Sequence, residues 1–231
     1  MNLRELAKER PAYAPTEPYI APRNTARESW DRFWPDVVRR LIPFGVASIV
    51  YARRSKGGLK GVGLTDAHLA RDLLLGGAVG VPMAGVAAAF RGWAVPGYRL
   101  PTRADQAVQS FYYIALNAPV EELFWRGMLQ SLAVKWARRR LASDRRGAVA
   151  GWALATAGFG VFHSLGGDWN WQSVVGATAA GGVFGLVYLL QPEPRSIWPS
   201  VVVHGLTTSG FFSWGDLVLH WRAKRRAHRG A

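Results

Sequence analysis

The sequence contains no cysteine, so disulfide bonds and thiolate chemistry are excluded. It also shows no internal repeat and no linker long enough to separate independent domains. Acidic residues are scarce, since 15 Asp and Glu stand against 29 Lys and Arg, which leaves a net charge of +14. The fold and the partners of the chain therefore have to be inferred from where its charges lie.

Long stretches of the chain carry no Asp, Glu, Lys or Arg. A helix needs about 20 apolar residues to cross the hydrocarbon core of a bilayer, and three of these stretches reach that length. A soluble protein with so many apolar stretches would keep almost no amphipathic surface. The pattern predicts an all-α fold, a polytopic transmembrane bundle of about six to eight helices. The charge-free stretches are 41–52, 73–90, 107–120, 147–167, 169–192 and 196–215.

The two ends of the chain differ from its middle. Residues 1–36 are polar, rich in proline and arginine, and lack the apolar core of a signal peptide. They are interpreted as a polar N-terminal arm with an amphipathic stretch around 30–34. Residues 37–220 are predicted to form one membrane domain, and residues 221–231 a basic C-terminal tail.

Basic residues are concentrated between the apolar stretches. Segment 53–71 holds five Lys and Arg, segment 135–146 holds six, and the tail holds five. This distribution is typical of short cytoplasmic loops in contact with anionic lipid headgroups, and tryptophans near the ends of the stretches fit an interfacial belt. The expected partner of the basic residues is therefore a lipid bilayer with anionic headgroups. Nucleic acid is not expected as a partner.

A pair of glutamates follows one of the apolar stretches. Ionisable side chains at membrane depth are candidates for function. Glu122 and Arg126 are spaced i,i+4, which predicts an ion pair on one helix face. Glu121 points about 100° away and is expected to stay available as a base. The alternative is a helix start at the interface, since Asn117 and Pro119 favour the first turn of a helix.

Two histidines occur in later apolar stretches. His163 lies in a glycine-rich segment, and His204 has Thr208 one helical turn later. Taken alone, His163 is interpreted as a hydrogen-bonded core histidine. His204 and Thr208 could likewise form interhelical hydrogen bonds, which contribute about 0.6 kcal/mol each in membranes.

The order of these residues resembles the CPBP family (CAAX prenyl endopeptidases and bacteriocin-processing proteins, also called Abi). The family motifs are E-E-x-x-x-R, F-x-x-x-H and H-x-x-x-N. This chain has Glu121-Glu122-x-x-x-Arg126, Phe159-x-x-x-His163 and His204-x-x-x-Thr208. The resemblance covers about residues 107–215 and implies a four-helix catalytic core. The chain departs from the family at position 208, where threonine replaces asparagine with a shorter hydrogen-bond donor.

The resemblance implies an intramembrane endopeptidase, a multi-pass protein of the bacterial plasma membrane. Its partner would be a membrane-associated or lipid-modified protein or peptide substrate. In that interpretation Glu121 and His163 activate a water molecule, while His204 and Thr208 stabilise the oxyanion. Arg126 holds the neighbouring Glu122 in a structural ion pair. Glu122 is a catalytic candidate together with Glu121, His163, His204 and Thr208, and no cofactor is required.

Other functions remain open from the sequence. Zinc could be held by Glu121, His163 and His204. These are three ligands, as many as the protein supplies in a catalytic zinc site. The H-E-x-x-H pair of many zinc proteases does not occur in the chain. A non-enzymatic membrane scaffold or a bacteriocin-immunity factor could use the same fold. A transporter is disfavoured because the apolar stretches show no inverted symmetry.

Overall fold

The computed structural model describes residues 21–94, 99–164 and 171–229, and within them the regular structure is helical, without strands. The predicted all-α fold is confirmed for this part of the chain. The first 20 residues of the predicted N-terminal arm lie outside it. The helices are α1 (26–54), α2 (Gly58–Gly61), α3 (Leu69–Ala94), α4 (103–140), α5 (Asp144–Ser164), α6 (Trp171–Leu189) and α7 (198–229).

Three of the long helices contain π-helical segments. Such segments are rare and occur frequently at functional sites. In α4 two of them enclose the short α-helical segment Ala118–Glu122, which carries the glutamate pair. Asn117 therefore lies inside a continuous helix and makes no capping hydrogen bond, so the alternative of a helix start at this point is wrong. The π-helical segments are Val37–Leu41, Phe111–Asn117, Leu123–Gln130 and Gly210–Trp214.

The start of α1 is an ordered helix that packs on α4. A capping box opens it, in which the Glu28 amide donates to the Thr25 hydroxyl and the Glu28 carboxylate accepts from the Thr25 amide. These hydrogen bonds lower the pKa of the Glu28 carboxyl. Phe33 is buried and stacks on Tyr112 of α4, with ring centroids 4.0 Å apart. Part of the predicted polar arm is thus packed against the bundle, because its aromatic residues share one helix face.

Helix α3 packs closely along the first half of α7. Glycines make this possible, since backbones approach where no side chain intervenes. A Cβ atom on Gly76 would lie 2.6 Å from the Cβ atom of Val202, and one on Gly210 would lie 2.5 Å from the Ala84 carbonyl oxygen. Helix α5 packs against the end of α4 and against α6. Helices α4 and α7 lie side by side in this bundle.

Among the described residues, one helical stretch, Leu69–Arg91, is long and apolar enough to cross a membrane. Its side chains Leu74, Val81 and Val86 are 76%, 56% and 63% exposed, as expected for side chains that face lipid. The apolar segment Val174–Leu189 is shorter. The multi-pass topology stays a prediction, because glycine, polar and charged residues lower the hydropathy of the other stretches.

The glycine contacts of α3 predict different effects at two adjacent positions. Gly76→Ala should lower the free energy of unfolding by about 1–3 kcal/mol, since the new methyl group overlaps Val202 and the Pro199 carbonyl. Gly77→Ala is the matched control, because a Cβ atom there meets nothing within 4 Å. Thermal unfolding in detergent measures both. Equal stability of the two variants would contradict the close approach of α3 and α7.

Candidate active site

The two adjacent glutamates of α4 are both buried. Glu121 is 1% exposed and Glu122 is 0% exposed. An ionised carboxylate in such a place is costly unless cations and hydrogen-bond donors compensate it. The surroundings of each carboxylate therefore indicate how the bundle stabilises the pair.

Glu122 is held on both of its oxygens. Arg126 Nε donates to Glu122 Oε2 at 3.0 Å, so the ion pair expected from the i,i+4 spacing is present. His204 Nδ1 lies 2.8 Å from Glu122 Oε1 and is the donor, because an ionised carboxylate only accepts. The Arg126 guanidinium also lies over the Phe159 ring, 5.2 Å from its centroid. Glu122 is thus fixed between α4 and α7.

Glu121 is held on one oxygen only. Its Oε1 accepts from Asn117 Nδ2 at 2.9 Å and from the Arg40 guanidinium of α1. Its Oε2 has no hydrogen-bond partner within the described ranges and lies 3.8 Å from His204 Nε2. Glu121 thus has a cationic partner of its own, which its position on the helix does not predict. Helical spacing reports local partners, whereas Arg40 lies 81 positions away in sequence.

His204 stands between the two glutamates. Its ring is buried and stacks on Phe184 of α6, with centroids 4.7 Å apart and an interplanar angle of 18°. One ring nitrogen is bonded to Glu122 and the other faces Glu121. The imidazole is therefore fixed in position and orientation by α4, α6 and its own helix α7.

His163 lies near this cluster without a direct bond to the glutamates. Its Nδ1 donates to the Phe159 carbonyl at 2.7 Å, and its ring lies 4.3 Å from the Phe159 ring. It is close enough to interact electrostatically with Arg40, Arg126 and His204. Within the described residues, no hydrogen bond or ion pair joins it to Glu121. The structure therefore places His163 beside the cluster, within electrostatic range of its charges.

Thr208 lies one turn beyond His204 on α7 and is half-buried. Its hydroxyl has no hydrogen-bond partner in the part of the chain that the structure describes. The neighbouring Thr207 hydroxyl differs, since it donates to the Val203 carbonyl at 2.6 Å. Glu121, Glu122, Arg126 and His204 are thus brought together, while no contact in the described residues joins Thr208 to them.

The geometry does not fit the zinc alternative. Across residues 21–94, 99–164 and 171–229, no three side chains of the ligand types lie close enough together to hold a metal ion. The proposed ligands are Glu121, His163 and His204. The Nδ1 atom of each histidine is already hydrogen-bonded to a protein acceptor. Only Glu121 and His204 approach one another. We therefore derive no catalytic step through zinc.

Comparison with known proteins assigns the core of the chain. A family model described as type II CAAX prenyl endopeptidase Rce1-like matches residues 103–209. This match supports membership of the CAAX prenyl endopeptidase (CPBP) family over these residues. Neither the curated proteins nor the solved structures contain a significant match. The family is one of membrane endopeptidases, and with the apolar helix α3 this indicates a membrane protein.

The CPBP match runs from the start of α4 to the middle of α7 and includes the whole predicted set of site residues. Arg40 on α1 lies outside the matched residues, and the sequence reasoning missed it. A signal was present, because Asp36 and Arg40 are spaced i,i+4 beside an apolar stretch. The sequence favours Asn117 as a helix start, whereas in the structure its side chain donates to Glu121 Oε1.

The buried ion pair predicts a large loss of stability when one partner is removed. Arg126→Gln leaves the Glu122 carboxylate buried without its cation, which should cost about 3–5 kcal/mol. The double variant Glu122→Gln/Arg126→Gln should lose less than the sum of the two single changes. Thermal unfolding in detergent measures all three, with Arg139→Gln, exposed on the same helix, as control. A stable Arg126→Gln protein would contradict the pairing.

Proposed function

We propose that this chain is an intramembrane endopeptidase that hydrolyses a peptide bond of a membrane-associated or lipid-modified protein substrate. One observation carries the proposal. Glu121 Oε2 is a buried carboxylate oxygen without a hydrogen-bond partner in the described structure, and it lies 3.8 Å from His204 Nε2. The family description supports endopeptidase chemistry in general, and the geometry supports water activated by glutamate.

A catalytic water molecule could be shared by these two atoms, on one side of the line that joins them, since they are 3.8 Å apart. A water can lie about 2.8 Å from both Glu121 Oε2 and His204 Nε2. Glu121 takes a proton from this water while the water oxygen forms a bond to the scissile carbonyl carbon. The tetrahedral oxyanion then collapses, the C–N bond breaks, and the leaving amine receives the proton from Glu121. No cofactor is consumed in this sequence.

The remaining residues support the oxyanion and the water. Donation from His204 Nε2 to the oxyanion requires a proton on each ring nitrogen, and Glu122 Oε1 accepts the one on Nδ1. The Thr208 hydroxyl one turn away is a second donor, in the place where the family motif has an asparagine. Arg126 keeps Glu122 aligned as the acceptor that orients His204. His163 contributes to the electrostatic surroundings of the water.

The proposed setting is the bacterial plasma membrane. The apolar stretches would cross the bilayer several times, and the basic segments would contact anionic headgroups. Burial of the cluster among helices suits a reaction that admits one water and excludes bulk solvent. Nucleic acid has no part in this proposal.

A second candidate function rests on Thr208. A chain that keeps the fold but lacks the amide donor of the family motif could act as a membrane scaffold or as an immunity factor against bacteriocins. The variant that separates the two functions is a change at Glu121. A scaffold tolerates that change, whereas an enzyme does not.

Glu121→Gln should abolish most of the activity. The change keeps the shape and polarity of the side chain but removes its proton affinity, so kcat should fall about 10²–10⁴-fold. Peptide products can be compared by mass spectrometry in membranes that contain the wild type or the variant. Glu193→Gln, with a 68% exposed side chain, is the control and should act like the wild type. Full activity of Glu121→Gln would reject the glutamate mechanism.

A chelator distinguishes the glutamate mechanism from a zinc-dependent one. The wild-type activity should survive chelation, since no step of the proposed reaction uses an ion. Activity that disappears with chelator and returns with added zinc would replace the proposal with a metal mechanism.

The membrane setting predicts how the protein fractionates. It should stay in the membrane pellet after extraction with carbonate at high pH, because lipid buries its apolar stretches. Immunoblots of pellet and supernatant measure this, with a peripheral membrane protein as control. Release into the supernatant would contradict a multi-pass topology.

A further inference from the structure

Arg40 connects α1 to the buried glutamate pair. Its Nη1 donates to Glu121 Oε1, which no other cation contacts in the described structure. Its Nε and Nη2 donate to the two carboxylate oxygens of Asp36, each at 2.6 Å. A guanidinium held in this bidentate way has little freedom left, because its planar fork matches the carboxylate.

A tyrosine of α4 completes the support of this arginine. The Tyr112 hydroxyl donates to Asp36 Oδ2 and lies 3.4 Å from Arg40 Nη2. Tyr112 is itself buried and stacked on Phe33 of α1. Arg40 is therefore fixed by the same contact that packs α1 on α4. Its bond to Glu121 links the position of that carboxylate to this contact.

The consequence is that the two oxygens of Glu121 differ. Oε1 accepts from Asn117 and from Arg40, whereas Oε2 has no hydrogen-bond partner in the described residues. Rotation of the carboxylate away from this orientation would break two hydrogen bonds, one of them to a cation. Oε2 is thereby kept beside His204 Nε2.

We propose that Arg40 is a positioning residue of the active site, which fixes Glu121 so that Oε2 alone faces the catalytic water. Asp36 and Tyr112 position Arg40 in turn. This inference rests on the proposed function. It assigns to α1, outside the matched residues 103–209, a part of the catalytic unit.

Changes at Arg40 should affect turnover more than substrate binding. Misplacement of a catalytic group by about 1 Å can cost on the order of 10²-fold in rate. Arg40→Gln should therefore lower kcat about 10–100-fold with KM within about twofold of the wild type. Arg40→Lys keeps the positive charge but loses the planar guanidinium, so its kcat should lie between those of the wild type and Arg40→Gln. Asp36→Asn leaves Arg40 in place but loosens it, and should lower kcat less than Arg40→Gln.

The matched control is Arg39→Gln. Arg39 is the exposed neighbour of Arg40 in the same π-helical segment, so its removal should leave kcat unchanged. Thermal unfolding of each variant in detergent reports the folded fraction, and kcat is expressed per folded protein. If Arg40→Gln does not fold, Arg40→Lys and Asp36→Asn carry the test.

A chemical rescue separates positioning from a purely structural role. Guanidinium ions at millimolar concentration should restore part of the kcat of Arg40→Gly, because they can occupy the gap between Asp36 and Glu121. Restoration supports the positioning role. No restoration, together with kcat values of Arg40→Gln and Asp36→Asn equal to that of Arg39→Gln, overturns it.

The outcomes also separate this inference from the proposed function. If Glu121→Gln is inactive while the Arg40 variants turn over like Arg39→Gln, only the positioning role fails. If Glu121→Gln is fully active, the proposed function fails and the inference fails with it.

Discussion

The burial of two adjacent carboxylates is the constraint on which the rest of the structure depends. Each would lose most of its hydration free energy inside the bundle, and the two charges repel one another. The bundle compensates them with Arg126 from the same helix, Arg40 from α1 and His204 from α7. Helices α1 and α7 must therefore converge on one point of α4, which defines much of the architecture.

The convergence is reflected in the helices themselves. Arg40 and Arg126 lie within π-helical segments, and another such segment follows His204 on α7. An additional residue in a helical turn changes the direction in which later side chains point. Gly205, next to His204 on α7, allows a close approach to α4, since a Cβ atom there would lie 3.1 Å from the Ile114 Cα atom. The π-helical segments and Gly205 thus both help to position the side chains of the charged cluster.

The cluster treats its two glutamates differently. Glu122 has both oxygens bonded, which suits a residue that orients others. Glu121 has one oxygen bonded and one without a partner in the described structure. A carboxylate held on one side keeps the geometry needed for catalysis and retains an acceptor for a proton. The difference does not come from residue type, since both are glutamates, but from the helices that face them.

The sequence by itself determined the helical fold and the order of the motifs, and its resemblance over about 107–215 overlaps the matched 103–209. It also predicted the Glu122–Arg126 ion pair, because a period of 3.6 residues states which side chains share a helix face. Only the tertiary structure decided that Arg40 binds Glu121 and that His204 bonds to Glu122. It also decided that Asn117 lies within a helix. The physical reason is that spacing along a helix carries no information on which face of another helix it will meet. That depends on packing across the whole bundle.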